Sequence, residues 1–499
     1  LALAGLVVVL ASCSDVPAPP VNVLLITLDT LRADRLTPYG YDARNVTPRL
    51  DAFAAESVTF QNSFSNSSFT PPSHASILTG RFPSEHGLMH WSQKLRDIPT
   101  AAERFADAGY RTAAITPLKT LFRLGLDRGF EDTFEPDFTE AEGLYLLADA
   151  ETINEQMLPW LLDTTDERPY FAWAHYYDAH RVFGRQGPQW ASRYNDEHDL
   201  KVGATEAWYQ LRAKRYGAKM SQGQLSSADV EFMADRYDGG LAYLDEQLGV
   251  LFDALAADPR WDDTLIVITA DHGEVFAEHD EEWFAHDPYL FEPNVKVPLF
   301  VRLPGGRHGG MTIDDLVQGV DLLPTIFELA RIETEPEDFS GLSLVPTMAG
   351  RGLRRDAIFA DRMGKDRSNE DGVDPVDVRA ERDRKRMVRT ATHKLIHYVD
   401  QGRSELYAVG DEQTDLFDGS EPLSQRMTEL YNHIMSGLVS TEPGTASAID
   451  PETAAYLRSL GYLGGGDESG EGATPDERTE PDEPNGTAEA DSPTDGDDP

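Results

Sequence analysis

The chain predicts an α/β protein: a mostly parallel central sheet flanked by helices, followed by a smaller C-terminal antiparallel α+β subdomain. Three observations carry this. Short β-branched apolar runs recur at Val21–Leu28, Arg111–Thr116, Pro169–Tyr177 and Thr264–Thr269, the signature of strands buried on both faces. Stretches of helical periodicity lie between them, and strands alternating with helices imply parallel pairing. From about Arg351 the pattern changes to close-set strands with short turns, which implies antiparallel pairing. The chain divides into a signal-like segment (1–13), a linker (14–20), a main domain (21–350), a C-terminal subdomain (351–463) and an acidic tail (464–499).

The first strand, Val21–Leu28, ends at Asp29 and Thr30. Ligands gather at the carboxyl edge of such sheets, so Asp29 reads as a helix cap or a metal ligand. Pro48–Ala55 is an amphipathic helix and Val58–Phe60 a brief strand. Ser68–Arg81 starts polar and Pro-rich, then turns apolar at helical spacing. The prolines fix the backbone before the helix, and Ser73 is its expected cap. Thr70 therefore stands on a rigid turn at a helix N-terminus, where free N–H groups and the helix dipole favour an anion. That place suits a nucleophile, although an ordinary capped helix looks the same in isolation.

Ile98–Ala108 and Ala141–Leu162 are expected helices, and Pro169–Tyr177 is a strand running into Asp178-Ala179-His180. Arg181–Gly223 is polar and aromatic without clear period, as a lid over a site is. Ser227–Leu255 is a long helix with an apolar face at Val230, Met233, Tyr237, Leu241, Leu244 and Leu248. Thr264–Thr269 is the most convincing strand and ends in Ala270-Asp271-His272-Gly273-Glu274. The irregular run Phe276–Pro293 carries Glu278, His279, His286 and Asp287. Val297–Val301 resumes the sheet, and Val320–Ala330 is a helix with Asp321 at its start and Pro324 in its first turn. Beyond Arg351, Ala357–Ala360, Met387–Thr392, His393–Tyr398 and Glu405–Tyr407 read as strands and Lys365–Lys385 as a charged loop. Ser424–Leu438 is a packing helix, and Leu457–Leu463 closes the fold. From Gly464 the chain is acidic, rich in Pro and Gly and free of aromatics, a composition that cannot pay the entropy of folding.

The formal net charge is −43 over 499 residues. The tail holds thirteen acidic residues against one Arg, a net −12 of that total, so −31 remains on the body. Such a surface repels nucleic acid and anionic headgroups and suits a salt-rich habitat. An anionic substrate then needs a locally positive pocket, most simply a bound divalent cation. Cys13 is the only cysteine, so no internal disulfide forms. The apolar run Leu1–Ser12 is too short to span a bilayer and reads as the core of an export signal. Leu10-Ala11-Ser12-Cys13 resembles a bacterial lipobox, which implies a lipidated Cys13 and anchoring at a membrane surface, with Ser14 matching an outer-membrane sorting pattern.

Asp29, Thr70, His180, Asp271, His272 and His286 all fall at strand or helix ends that the topology brings to one sheet edge. Asp, Asp and His form a reasonable divalent site, and a cation there lowers the pKa of the Thr70 hydroxyl. The plain alternatives are a strand-end turn at Asp271-His272 and structural roles for His180 and His286.

The chain resembles the sulfatase family of the alkaline-phosphatase superfamily over about Asn22–Leu463. The resemblance rests on Asn22–Asp29, Ala75–Arg81, Thr269–Glu274, Val297-Pro298-Leu299, Asp321–Thr325 and Glu405-Leu406-Tyr407, in the family's order. It implies an alkaline-phosphatase-like fold and a metal-dependent ester hydrolase or transferase acting on phosphate or sulfate esters. The departures matter. Active sulfatases carry Cys or Ser, converted to formylglycine, where Thr70 stands; oxidation of Thr gives a ketone, so Thr70 stays unconverted. The signature Arg is His74, the Gly-Lys-Trp-His motif is replaced by Thr116-Pro117-Leu118-Lys119, and the second Asp after Asp29 is Thr30. What remains resembles the superfamily's threonine-nucleophile branches. Matched by position, Asp29, Thr70, Asp271 and His272 would hold one divalent cation (Mn, Ca or Zn). Thr70 would form a covalent phospho-threonine, and His286 and His180 would serve catalysis on the substrate side. His74, Arg81 and Asp178 would contact substrate, with His74 and Arg81 alternatively bracing the turn. Asp178, His180 and His286 could instead hold a second ion. A formylglycine-independent sulfatase for sulfated glycans and an inactive surface lipoprotein are the competing readings; oligomeric state is unassigned.

Overall fold

The structure, a computed structural model, describes residues 20–137, 139–141, 144–180, 188–191, 193–194, 227–276, 278, 286, 289–353, 355–362, 384–412 and 414–416, with 428, 429 and 432 beyond them. The signal-like segment with Cys13, nearly all of the expected lid, His279, Asp287, most of the 365–385 loop, most of the 424–438 helix, Leu457–Leu463 and the acidic tail lie outside the described residues.

The strands are β1 (Asn22–Leu28), β2 (Val58–Phe64), β3 (Arg111–Ile115), β4 (Asp132–Phe134), β5 (Thr139–Ala141), β6 (Leu144–Leu146), β7 (Tyr170–Tyr176), β8 (Thr264–Ala270), β9 (Leu299–Arg302) and β10 (Thr312–Gln318), then β11 (Ala357–Arg362), β12 (Lys385–Thr390), β13 (His393–Tyr398) and β14 (Arg403–Ala408). Eight of them form one sheet in the order β10-β2-β9-β8-β1-β7-β3-β4. All neighbours are parallel except β9, which runs antiparallel to both β2 and β8. β1 is central, and its last residue Leu28 sits level with Tyr176 of β7 and Ala270 of β8. That register is what matters for function: Asp29, Tyr177 and Asp271 leave the sheet side by side.

Strand alternation splits the core into two layers. Leu24, Ile26 and Leu28 of β1 and Ile266 and Ile268 of β8 join one buried cluster, whereas Val23, Leu25, Leu265 and Val267 join the other. Helices α1 (Pro48–Ala55), α4 (Ala150–Leu161) and α5 (Ser227–Ala256) cover the first face; α2 (Thr70–Thr79), α3 (Ala101–Asp107) and α6 (Leu322–Ala330) cover the second. On α5, Met233, Tyr237, Leu241, Leu244 and Leu248 are buried, while Val230 packs at the margin. Asp245 of α5 accepts the Arg49 and Leu50 amides at 3.0 and 2.7 Å, capping α1 across the interface.

The small sheet, β11-β12-β13-β14, is wholly antiparallel. It docks on the end of β2 through Asp361 N to Asn66 O (2.9 Å) and Asn66 Nδ2 to Phe359 O (2.8 Å). Its apolar face shares a third cluster with Phe64 and Leu290. The C-terminal sheet thereby braces the segment that leads into Thr70.

Several expectations need correction. The helix expected over 141–162 starts at Ala150, where the Asp149 side chain accepts the Thr152 amide at 3.0 Å; the residues before it pair as the β5–β6 ribbon. α3 begins at Ala101 rather than Ile98, because Thr100 and Glu103 close a reciprocal cap there. α2 begins at Thr70 itself, with Pro71 and Pro72 inside its first turn, where no N–H partner is missed. Ser73 is not its cap. β4 and the edge strand β10 escaped the sequence reading; the Asp314-Asp315 pair in β10 hides its alternation. Among the described residues no helix is long and apolar enough to cross a membrane.

Candidate active site

The carboxyl end of β1 turns sharply. Asp29 is wholly buried, and Thr30 adopts φ +55°, a left-handed conformation that a β-branched residue rarely takes. The turn is clamped from outside. Tyr237 of α5 donates its hydroxyl to the Thr30 carbonyl (2.8 Å) and accepts the Arg32 amide (2.9 Å). The Thr30 amide in turn donates to Asp271 Oδ1 at 3.2 Å, tying the ends of β1 and β8 together.

Thr70 is buried at the start of α2, with Phe69 extended before it. Ser73, one turn on, donates its hydroxyl to the Asp271 carbonyl at 2.5 Å. This bond fixes the helix that begins at Thr70 against the end of β8. His86 steadies the same turn: its Nε2–H faces the Pro72 carbonyl and Ser76 Oγ, both at 3.2 Å, and its Nδ1 accepts the Leu88 amide. Burial and nearby Arg96 push the His86 pKa down to about 3, so the ring is neutral.

Asp29, Asp271 and His272 place ligand atoms within 4.8 Å of one another, all fully buried. Thr70 Oγ1 lies 3.2 Å from His272 Nε2. His272 Nδ1 donates to the Gly273 carbonyl at 2.9 Å, which leaves Nε2 with its lone pair facing inward. Asp271 Oδ1 is occupied by the Thr30 and His272 amides (3.2 and 2.9 Å), while Oδ2 accepts no hydrogen bond among the described residues and faces His272 Nε2 at 3.4 Å. Two buried carboxylates and an imidazole lone pair converging on one volume fit a divalent cation. A metal-ligating histidine holding its other N–H on a carbonyl is the usual supporting pattern.

His74 corrects the expectation of substrate contact. Its Nδ1 donates to the Thr70 carbonyl (2.9 Å) and its Nε2 meets Thr27 Oγ1 (3.1 Å), so both nitrogens are spent on β1 and on its own helix. Burial, then His175, lowers its pKa to about 3. Arg81 braces rather than faces the site: it donates to the Glu337 carbonyl and lies 3.5 Å from both Glu85 and Ser340. Asp178 Oδ1 accepts the Ala150 amide at 3.3 Å, at the start of α4. His180 and His286 do come to the site. His286 stacks on His272 with ring centroids 4.6 Å apart, His180 meets His286 edge-on at 5.0 Å, and Tyr177 stacks on His180 at 4.2 Å. Glu274 Oε2 stands 3.4 Å from His286 Nδ1.

Sequence reasoning missed Thr27 and His175. They are register partners on β1 and β7. Thr27 Oγ1 meets His74 Nε2, His175 Nδ1 (3.0 Å) and Trp173 Nε1 (3.0 Å). His175 Nε2 points at Asp29 Oδ2, 3.3 Å away. The signal was present: a histidine inside the otherwise apolar and aromatic run Tyr170–Tyr176.

The sequence profile of the sulfatases matches residues 21–332. The chain belongs to the sulfatase family. A second profile, the C-terminal region of N-sulphoglucosamine sulphohydrolase, matches residues 278–436. Among curated relatives of this sulfatase-family hydrolase, the multifunctional alkaline phosphatase superfamily protein PehA of Trinickia caryophylli is 26% identical over 400 residues, covering 66% of this chain and 77% of the relative. The N-acetylglucosamine-6-O-sulfatase of Bacteroides thetaiotaomicron is 24% identical over 423 residues, covering 69% and 74%. Of solved structures, the phosphonate monoester hydrolase of Agrobacterium radiobacter superposes with a TM-score of 0.65 at 21% identity, covering 86% of this chain and all of that one. A protein solved with its substrate D-glucosamine-2-N,6-O-disulfate gives 0.66 at 20% identity, covering 85% and 99%. These likenesses establish the sulfatase fold and its arrangement of a large mixed sheet with a small antiparallel one. Sulfatases are generally metal-dependent, and the Asp29, Asp271 and His272 cluster provides a possible site in this one.

Proposed function

We propose that this sulfatase-family enzyme hydrolyses phosphate or phosphonate esters through Thr70, with a divalent cation (Mn, Ca or Zn) held by Asp29, Asp271, His272 and Thr70. The reading is carried by the placement of Thr70 Oγ1, buried at a helix N-terminus and 3.2 Å from the inward lone pair of His272. When bound, the cation lowers the pKa of the Thr70 hydroxyl and neutralises charge on the transferring group. Thr70 Oγ1 attacks phosphorus, and the bond to the leaving oxygen breaks as the threonine ester forms. His286, oriented by Glu274 and flanked by His180, delivers a proton to the leaving oxygen. Water then attacks phosphorus of the threonine ester, its oxygen joining the released phosphate or phosphonate as the bond to Thr70 Oγ1 breaks and the threonine hydroxyl is regenerated. Because Thr70 carries a methyl group, no formylglycine enters this scheme.

The test compares p-nitrophenyl phosphate, bis-p-nitrophenyl phosphate and p-nitrophenyl sulfate with Mn2+, Ca2+ or Zn2+. Phosphoester turnover lost in Thr70→Ala, with phosphate recovered on the Thr70 peptide after acid quench, supports the proposal. Full turnover by Thr70→Ala overturns it. Sulfate esters are the second reading, favoured by similarity to the N-acetylglucosamine-6-O-sulfatase and to the choline-sulfatase of Rhizobium meliloti. Sulfate turnover with unmodified Thr70 would select it. From the sequence alone we infer export and lipid anchoring at Cys13; metabolic labelling with a fatty acid, lost in Cys13→Ser, tests that.

A further inference from the structure

We propose that His175 is a further protein ligand of this cation site, taking up the role of the carboxylate that Thr30 does not supply, and that the site therefore prefers a nitrogen-seeking divalent ion such as Zn2+ or Co2+ over Ca2+. The inference rests on the cation reading above and adds a residue to it.

Hydrogen-bond bookkeeping leads there. His74 Nδ1 must carry its proton, because it faces the Thr70 carbonyl, which only accepts. With a neutral His74 ring, Nε2 is an acceptor, and the Thr27 hydroxyl proton is spent on it. Thr27 Oγ1 also accepts from Trp173 Nε1, so His175 Nδ1, at 3.0 Å from the same oxygen and 3.3 Å from the Thr27 carbonyl, must itself be a donor. A neutral His175 then has its lone pair on Nε2. That atom is fully buried, has no hydrogen-bond partner among the described residues, and faces Asp29 Oδ2 at 3.3 Å. Two acceptors at that distance repel unless a proton or a metal cation lies between them.

The distances suit one. Adjacent donors each roughly 2.1–2.4 Å from an ion stand about 3.0–3.4 Å apart. The Asp29–His175 pair at 3.3 Å, the Asp271–His272 pair at 3.4 Å and the Thr70–His272 pair at 3.2 Å all fall in that range. His175 lies outside the Asp29, Asp271 and His272 trio, whose ligand atoms are all within 4.8 Å of one another, and adjoins it through Asp29. His175 and His272 also share one supporting device: each Nδ1–H is held by a backbone carbonyl, Thr27 and Gly273 respectively. With two imidazoles among its donors, the site leaves the all-oxygen chemistry that suits Ca2+.

The experiment is titration of the metal-free full chain with Co2+, Zn2+ and Ca2+ by calorimetry, together with proton NMR of the Co2+-loaded protein. Two strongly shifted exchangeable ring N–H resonances are expected in the unaltered protein, one from each ligating histidine. His175→Gln is expected to lose one resonance and to weaken Co2+ and Zn2+ binding by about tenfold or more, leaving Ca2+ binding nearly unchanged. One shifted ring N–H in the unaltered protein, or undiminished Co2+ affinity in His175→Gln, removes His175 from the site while the cation reading stands. No Co2+ binding by the unaltered protein, or equal binding by Asp271→Asn, overturns the cation site itself.

Discussion

The Tyr237 hydroxyl bridges the Thr30 carbonyl at 2.8 Å and the Arg32 amide at 2.9 Å. One phenol on the long helix thus holds a β-branched residue at φ +55°, a backbone state that costs about 1–3 kcal/mol unless its surroundings impose it. Tyr237→Phe keeps the packing and removes both bonds. Leaving a buried amide and carbonyl unsatisfied costs roughly 1–3 kcal/mol, so the midpoint of urea unfolding should fall accordingly. Turnover should fall with it, because the Thr30 amide positions Asp271. Unchanged stability and unchanged kcat together would show that the phenol does not impose the turn.

Thr30 is where a carboxylate is missing. Asp tolerates the left-handed region better than Thr, so Thr30→Asp should fold at least as well while adding a hard oxygen donor beside Asp29. Ca2+ affinity, set largely by the number of charged ligands, is expected to rise by about tenfold or more in calorimetry. Equal Ca2+ affinity would place the Thr30 side chain away from the cation.

Gly273 follows His272 and donates its amide to the Asn294 carbonyl at 2.7 Å. A Cβ there would lie 1.9 Å from the Pro293 carbonyl oxygen, which is backbone and cannot swing aside. Gly273→Ala should therefore cost about 3 kcal/mol or more and displace the carbonyl that fixes the His272 tautomer. Thermal unfolding and metal titration of the variant read the two effects separately; a fully stable, metal-competent Gly273→Ala is the contrary outcome.

His86 makes stability depend on pH. Its folded pKa of about 3 lies below the ordinary 6.5 of an unfolded chain, through burial and then Arg96. The stabilisation is complete above pH 6.5 and is lost as pH falls toward 3, because the unfolded chain takes up a proton that the folded ring refuses. Within that window this one group contributes a slope of roughly 1.4 kcal/mol per pH unit. His86→Gln keeps a donor and an acceptor but does not titrate. Urea unfolding between pH 7 and pH 5 should show a shallower decline in the variant, by one proton; parallel declines would refute the assignment.

The order of strands and helices was legible because each strand is apolar enough, and each long helix periodic enough, to declare itself without partners. Asp29, Thr70, Asp271 and His272 were legible for a related reason. Asp29, Asp271 and His272 stand just past strands and Thr70 opens a helix, and parallel topology brings strand ends and the helix starts that follow them to one edge. Elements stabilised mainly by neighbours were not legible. β10 carries Asp314 and Asp315 on an edge, the β5–β6 ribbon exists through its own pairing, and the first turn of α2 is settled by Pro71 and Pro72 rather than by a capping Ser73.

Residue types at chain ends of strong secondary structure could thus be read in one dimension: the α/β class, the helix-borne hydroxyl at position 70, and the acidic and imidazole groups that face it. Which nitrogen of each histidine carries a proton could not. His74 turned inward instead of toward a substrate, and His175 turned toward Asp29, because Thr27, Trp173 and the Thr70 carbonyl meet them from three separate segments. Hydrogen-bond direction is a property of the assembled neighbourhood, and only folding brings those donors and acceptors within about 3.3 Å of one another.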